Sequence, residues 1–195
     1  MEYLYGNDHP TDLSKPAERE EVHKRRIYCN GFVRQDGLFD IEAELTDHKT
    51  YSFPSKFRGK VSPDMPFHHM KVRLTITRDL VITEAEAITI AGPYAICPAA
   101  NDVFANLVGI QIGPGWRRRV SAAIGGRQGC THITELMGPV ATIAYQTRYG
   151  EETRQTRLLR EDSISSNNKE KYADPRHQRS HALANSCIAY VVDET

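Results

Sequence analysis

The sequence predicts an α+β fold in which an antiparallel sheet comes first and helices packed on one of its faces follow. Two observations carry this prediction. Before Gly92-Pro93, apolar and polar residues alternate around turn dipeptides; after it, apolar residues recur at spacings of three and four. We divide the chain into a loose N-terminal arm (1–22), a single α+β domain (23–149) and a flexible polar tail (150–195).

Two hairpins account for the predicted sheet. The first turns at Asp36-Gly37, a dipeptide that favours tight hairpins, and the second turns at residues 77–79 after a clean alternation over residues 70–77. An irregular crossing rich in proline, residues 52–66, joins them. In the first hairpin one face is apolar (Phe39, Ile41, Ala43) and the other carries carboxylates (Asp40, Glu42, Glu44). These carboxylates form either a solvated face or a cluster at a site.

About three helices follow the sheet. The first covers residues 97–109, with Pro98 in its first turn, and the second covers residues 113–126 between glycine-containing stops. The third begins near Thr131 and has one core-facing stripe, made of Ile133, Leu136, Met137, Val140, Ala141 and Ala144. Beyond residue 149 the composition is charged and predicts a flexible segment, apart from CIAYVV (187–192), a short strand that could return to the sheet edge.

Composition excludes several classes of function. Lysine plus arginine equals aspartate plus glutamate, 25 each, so there is no bulk field to attract nucleic acid or an anionic membrane. No apolar stretch approaches a membrane span, and the first residues lack the layout of a secretory signal, which predicts a cytoplasmic location. No P-loop, GxGxxG or HExxH motif is present. A homo-oligomer is left open.

The four cysteines are therefore expected to be reduced thiols: buried side chains, ligands or nucleophiles. Cys29 and Cys187 fit buried packing best. Cys130 lies in the segment GGRQGCTHITE (125–135), where glycines allow a sharp turn and a helix N-terminus favours a thiolate. His132 and Glu135, three residues apart, project from the same side of that helix.

Two further positions extend this candidate site. Adjacent His68 and His69 stand at the start of a strand, so one of them faces inward. Cys97 lies where a strand passes into a helix. Thiolate, imidazole and carboxylate groups together suit Zn²⁺ or iron, with His68, Cys97, Cys130 and His132 as candidate ligands. Each of them, considered alone, also fits ordinary packing.

Arginines offer candidate clamps for a substrate carboxylate, because the guanidinium fork binds carboxylates bidentately. Arg34 lies among Asp36, Asp40 and Glu42 in the first hairpin, and Arg117 opens a basic run on the second helix. The alternative interpretations are a structural ion-pair set for Arg34 and a solvated helix face for Arg117.

In order along the chain, the blocks RQDGLFDIEAEL, HHMKVRLTIT, PYAIC, LVGIQIGPGW and GGRQGCTHITEL resemble a bacterial family catalogued as a domain of unknown function. The resemblance covers roughly Glu21 to Thr147 and implies a bacterial cytoplasmic protein that accompanies small-molecule, including aromatic, catabolism. The chain departs from the family at His69, where an acidic or amide residue is expected, so His68 is the better ligand candidate.

A fainter resemblance concerns the order of elements over residues 67–147, which is similar to iron–sulfur scaffold proteins of the NifU-like fold. It implies His68 or His69, Cys97 and Cys130 with His132 in the positions of cluster ligands. A histidine in place of one scaffold cysteine favours a mononuclear metal or an altered cluster.

Three functional hypotheses follow. The first is a metal-dependent enzyme, with Fe or Zn, acting on a small organic or aromatic acid, with Glu135 as a ligand or general base. The second is a metal or iron–sulfur scaffold or carrier. The third is a metal-free enzyme with Cys130 as nucleophile and His132 or His68 as its base.

Overall fold

The computed structural model describes residues 13–164, and its largest element is a four-stranded antiparallel sheet. The strands in chain order are β1 (His23–Val33), β2 (Phe39–Lys49), β3 (Phe53–Ser55), β4 (Gly59–Val61), β5 (His68–Ile76) and β6 (Ile82–Ala91). The large sheet has the order β1-β2-β5-β6, which confirms both predicted hairpins. β3 and β4 form a separate two-stranded sheet within the stretch expected to be irregular.

The first hairpin turns where the sequence predicts. The amide of Arg34 donates to the carbonyl of Leu38 at 2.9 Å, and Gly37 has a φ of 85°, a conformation that side chains other than glycine rarely adopt. The turn sets the register so that β2 presents Phe39, Ile41, Ala43, Leu45 and Asp47 to the protein interior.

Three helical regions follow the sheet, as expected. α1 (Ala100–Val103) lies between two 3-10 turns, Cys97–Ala99 and Phe104–Leu107; α2 (Trp116–Ile124) and α3 (Thr131–Ile164) are longer. Residues 150–164 of the predicted polar tail continue α3, and residues 165–195 of that tail lie outside the described part of the chain. Glutamate, glutamine, arginine and leucine are good helix formers, and extending a helix that is already nucleated is easy.

The core lies between one face of the sheet and the helices. Leu45, Leu74 and Leu136 are fully buried there, each worth about 2 kcal/mol of hydrophobic stabilisation. The predicted stripe of α3 belongs to this core: Ile133, Leu136, Met137, Val140 and Ala144 are buried, and Ala141 is partly buried. The opposite sheet face is mixed: Glu42 is exposed, Asp40 and Glu44 are half-buried, and Tyr28 and Ile88 are exposed on the same face.

α3 runs alongside β1 in the same direction. Near its start Glu135 meets Arg25, and Thr147 lies over Gly31 so closely that no Cβ would fit there. Twelve helical residues advance about 18 Å and six strand residues about 20 Å, so the two contacts agree with one alignment. This alignment fixes where the first turn of α3 meets the sheet.

One compact unit ends at Glu151, and from Glu152 the chain belongs to a second unit. Residues 13–22 of the predicted arm have no regular secondary structure and are exposed. The rest of that arm, Cys187 and the predicted strand 187–192 lie outside the described residues. Among the helices that are described, none combines the length and apolar character that crossing a bilayer requires.

Candidate metal centre

Three side chains from three elements converge at one end of the sheet: Asp47 on β2, His68 on β5 and His132 in the first turn of α3. One ligand atom of each lies within 4.8 Å of those of the other two. The Oδ2 atom of Asp47 is 3.0 Å from Nδ1 of His68 and 3.7 Å from Nε2 of His132. A carboxylate and two imidazoles therefore surround a common point.

Strand register explains two of these positions. Asp47 pairs directly with His68 across β2 and β5, so both residues lie on the same face. Each continues a core-facing row: Asp47 lies two residues after Leu45 in β2, and His68 lies two residues before Met70 in β5. The neighbouring His69 points to the other face, where its Nε2 contacts Glu44. His68 is thus the inward histidine of the pair.

Glycines position His132. Gly126 has a φ of 65°, and a Cβ on Gly129 would collide with the carbonyl of Ile124 at the end of α2. The chain can then turn back sharply, and the carbonyl of Cys130 accepts the first helical hydrogen bond from the amide of Thr134 at 2.9 Å. The close approach that the sequence predicts for these glycines places the first turn of α3 beside Asp47 and His68.

Asp47 is fully buried, and Arg25 on β1 compensates its charge. Nε and Nη2 of Arg25 donate to the two carboxylate oxygens at 2.7 Å each. The remaining nitrogen, Nη1, donates to Glu135 at 2.5 Å. His23 Nε2 lies 3.4 Å from Oδ1 of Asp47. A buried carboxylate without such partners would be strongly destabilising.

These partners keep Asp47 ionised. Burial by itself raises the pKa of Asp47, but the hydrogen bonds and charge of Arg25, with a hydrogen bond from His23 and the charge of His68, together lower it to about 2. Asp47 is therefore an ionised carboxylate at any pH near neutrality.

The two imidazoles are kept neutral. Burial, followed by the charge of His132, lowers the pKa of His68 to about 4, although Asp47 acts in the opposite direction. Burial and then the charge of Arg25 also lower the pKa of His132. Phe67 contributes to the burial of His68, because the two rings pack edge to face with their centroids 4.5 Å apart. Each neutral ring offers one nitrogen lone pair, which a metal ligand requires.

The arrangement fits a transition-metal ion. Bonds of about 2.0–2.2 Å to nitrogen and oxygen put neighbouring ligand atoms roughly 3 Å apart, close to the 3.0 and 3.7 Å measured from Asp47 Oδ2. Each carboxylate oxygen has two lone pairs, so Arg25 can occupy one on Oδ2 while a metal takes the other. The rings of His68 and His132 lie nearly face to face, with centroids 3.7 Å apart and planes inclined by 31°, so binding one ion through both rings requires them to turn toward it.

The structure brings together only some of the residues expected from the sequence. His68 and His132 join the group. The Sγ atom of Cys130 lies 3.9 Å from His132 Nδ1, beside the group. Within residues 13–164 the metal-type group contains no cysteine. Cys97 is half-buried against Gly92 in the loop after β6.

The other expected residues lie in different surroundings. Glu135 is held by Arg25, and its side chain is 49% exposed. Arg34 binds Asp36 and Asp40 at the turn between β1 and β2, as in the ion-pair interpretation. Arg117 is exposed on α2. Roles for these residues in binding substrate stay predictions.

Sequence reasoning missed Asp47 and Arg25. A signal for Asp47 was present: it continues the alternation of Phe39, Ile41, Ala43 and Leu45, which puts a carboxylate on the buried face. Its pairing with Arg25 follows from the register of β1 with β2, which the sequence does not state.

The sequence matches the family described as "Protein of unknown function (DUF2889)" over residues 23–146, more than half of the chain, so the chain belongs to that family. The matched segment contains β1 to β6 and all three candidate ligands. Searches of curated proteins and of solved structures give no significant match.

Proposed function

For this member of the DUF2889 family, we propose that Asp47, His68 and His132 bind one divalent transition-metal ion and that the loaded protein is an enzyme acting on a small organic acid. The observation that supports metal binding is the convergence of one ionised carboxylate and two neutral imidazoles from three separate elements. Two histidines and one carboxylate are the ligand set of non-haem iron enzymes, and they also suit zinc.

Three protein ligands leave coordination positions open, which separates a catalytic from a closed structural site. A metal with an open position supplies a Lewis acid or an activated water to a bound molecule. In this chain Arg25 orients Asp47 and keeps it charged, and Phe67 holds the ring of His68. His132 reaches the site because the glycines before it fix the start of α3. Small organic acids, including aromatic acids, are the proposed substrates.

The test is metal content followed by metal titration. Protein purified without chelator is analysed for iron and zinc, then stripped and titrated with Zn²⁺ by calorimetry and with Co²⁺ by visible absorption. We expect one equivalent of metal. His68→Ala and His132→Ala should each weaken binding by at least about 100-fold, beyond the usual cost of losing an outer-shell partner.

Two variants make the test specific. His69→Ala changes the adjacent histidine, which lies on the opposite face of β5, and should bind metal like the wild type. Asp47→Asn keeps the size of the buried side chain while removing its charge, and should weaken binding. If the wild type holds no metal above trace and takes up none on titration, the three residues form an internal network of hydrogen bonds only.

A second candidate function has its own supporting contact. His132 lies between Cys130, at 3.9 Å, and Asp47, at 3.7 Å, the order of a nucleophile, its base and an orienting carboxylate. Under this proposal chelated protein reacts rapidly with iodoacetamide at Cys130, and His132→Ala slows the reaction. His68→Ala separates the two candidates, because it removes a metal ligand but leaves the Cys130–His132–Asp47 series complete.

A further inference from the structure

We propose that the metal-loaded centre selects small carboxylic acids over neutral analogues, and that Nη1 of Arg25 donates to the bound carboxylate in place of Glu135. This inference rests on the proposed metal site and specifies its ligand. It differs from the sequence expectation in which Arg34 or Arg117 takes that part.

The first argument is charge balance. Once Glu135 has turned away, Asp47 contributes one negative charge, Arg25 one positive charge and the metal two, which leaves a net charge of +2 with neutral imidazole ligands. A bound carboxylate replaces the charge of Glu135 and lowers this excess, whereas a neutral ligand leaves it uncompensated in a half-buried site. The N-terminus of α3 near His132 adds a partial positive charge in the same place.

The second argument is the geometry of Arg25. Two of its nitrogens donate to Asp47, whose full burial restricts movement of the carboxylate. Its third contact, from Nη1 to Glu135, is different, because the Glu135 side chain is half exposed and can rotate into water. Nη1 is therefore the exchangeable donor of an otherwise immobile guanidinium.

These two features define one ligand-binding position. Asp47 holds Arg25 through both oxygens and would hold the metal through Oδ2, so one buried carboxylate positions both Nη1 and the metal. A carboxylate has two oxygens that can contact both at once. An amide of the same shape has only one acceptor and presents an NH₂ group to Nη1 or to the metal.

The experiment compares acids with their amides on protein loaded with Co²⁺. Acetate and acetamide form one pair; benzoate and benzamide form a second, chosen because aromatic rings of Phe67 and Phe53 pack in series beside His68. Binding is followed by the change in the visible absorption of Co²⁺. We expect each acid to bind at least about tenfold more tightly than its amide, the scale of one charge-assisted hydrogen bond.

Variants locate the carboxylate. Glu135→Gln removes the competing charge and should tighten acid binding about two- to fivefold, the range for a solvent-exposed ion pair, without changing amide binding. Arg25→Lys keeps the charge but loses the fork, and should reduce the preference for acids. Glu84→Gln, at the separate Arg34 cluster, is the matched control and should change neither the affinity for acids nor the affinity for amides. Metal affinity is measured for every variant.

The outcomes separate the two proposals. If Co²⁺ binds but acids and amides bind alike, or Glu135→Gln leaves acid binding unchanged, Arg25 is not the receiving group and the selectivity is overturned while the metal site stands. If Co²⁺ does not bind at all, the proposed metal site fails, and the selectivity fails with it.

Discussion

Replacing Gly31 by alanine should destabilise the domain by pushing α3 away from β1. A Cβ built on Gly31 overlaps the Oγ1 atom of Thr147 and lies 2.8 Å from the Cβ and Cγ2 atoms of that residue, all inside normal contact. Excess volume at a packed contact costs about 1–3 kcal/mol. We expect Gly31→Ala to lower the free energy of unfolding by about 2 kcal/mol within that range.

Thr147→Gly completes a double-mutant cycle with Gly31→Ala, because it removes all three overlapping atoms. This change alone costs about 0.5 kcal/mol of helix propensity, because threonine is already a poor helix former. Combined with Gly31→Ala, it should restore most of the loss, giving a favourable coupling of at least about 1 kcal/mol in urea denaturation. The packing of α3 on β1 is refuted if Gly31→Ala is neutral, or if the two changes are additive.

Three other predictions concern the site and the core. In chelated protein the free energy of unfolding should fall by about 3 kcal/mol between pH 7 and pH 4. The pKa of His68 is about 4 in the folded protein and about 6.5 in the unfolded chain. Between these values the unfolded chain binds a proton that the folded protein does not, so lowering the pH favours unfolding. His68→Gln should remove the His68 share of this slope in urea titrations and leave the share due to His132, whose pKa is also lowered; a slope that persists unchanged contradicts the assignment. Leu136→Ala, at a fully buried position, should cost about 2–5 kcal/mol in the same assay, and a loss below about 1 kcal/mol contradicts its place in the core. Burial raises the pKa of Cys29, so iodoacetamide should modify it more slowly in folded than in urea-unfolded protein at pH 8, as followed by peptide mass spectrometry. Equal rates contradict that prediction.

The sheet and the helices could be predicted because their signals are local. Alternation around Asp36-Gly37 determines both the turn and the buried face of β2, and the spacing of Ile133, Leu136 and Val140 determines the buried face of α3. The end of α3 could not be predicted in the same way. Its composition beyond residue 149 suits either a solvated tail or a solvated helix, and only the presence of a packed helix before it decides.

The site was half predictable for a related reason. His68 and His132 are histidines, a common metal-ligand type, and lie at the starts of β5 and α3; the structure places both in the candidate metal centre. Cys97 has the same kind of marking, but the geometry of the loop after β6 places it against Gly92. Asp47 became significant only through cross-strand partners, Arg25 on one side and His68 on the other. Such pairings depend on register over long separations, which composition and spacing do not contain.

β1 is an outer strand of the large sheet among residues 13–164, and such strands invite unwanted pairing with other chains. Its first half is basic, His-Lys-Arg-Arg (23–26), and its second half is more apolar. If two copies of β1 paired antiparallel, the basic half of each would lie opposite the apolar half of the other. Arg25 adds a second safeguard, since a charge directed inward from an outer strand is intolerable in a continuous apolar sheet sandwich. We therefore expect the residue that holds Asp47 to discourage pairing at this edge as well.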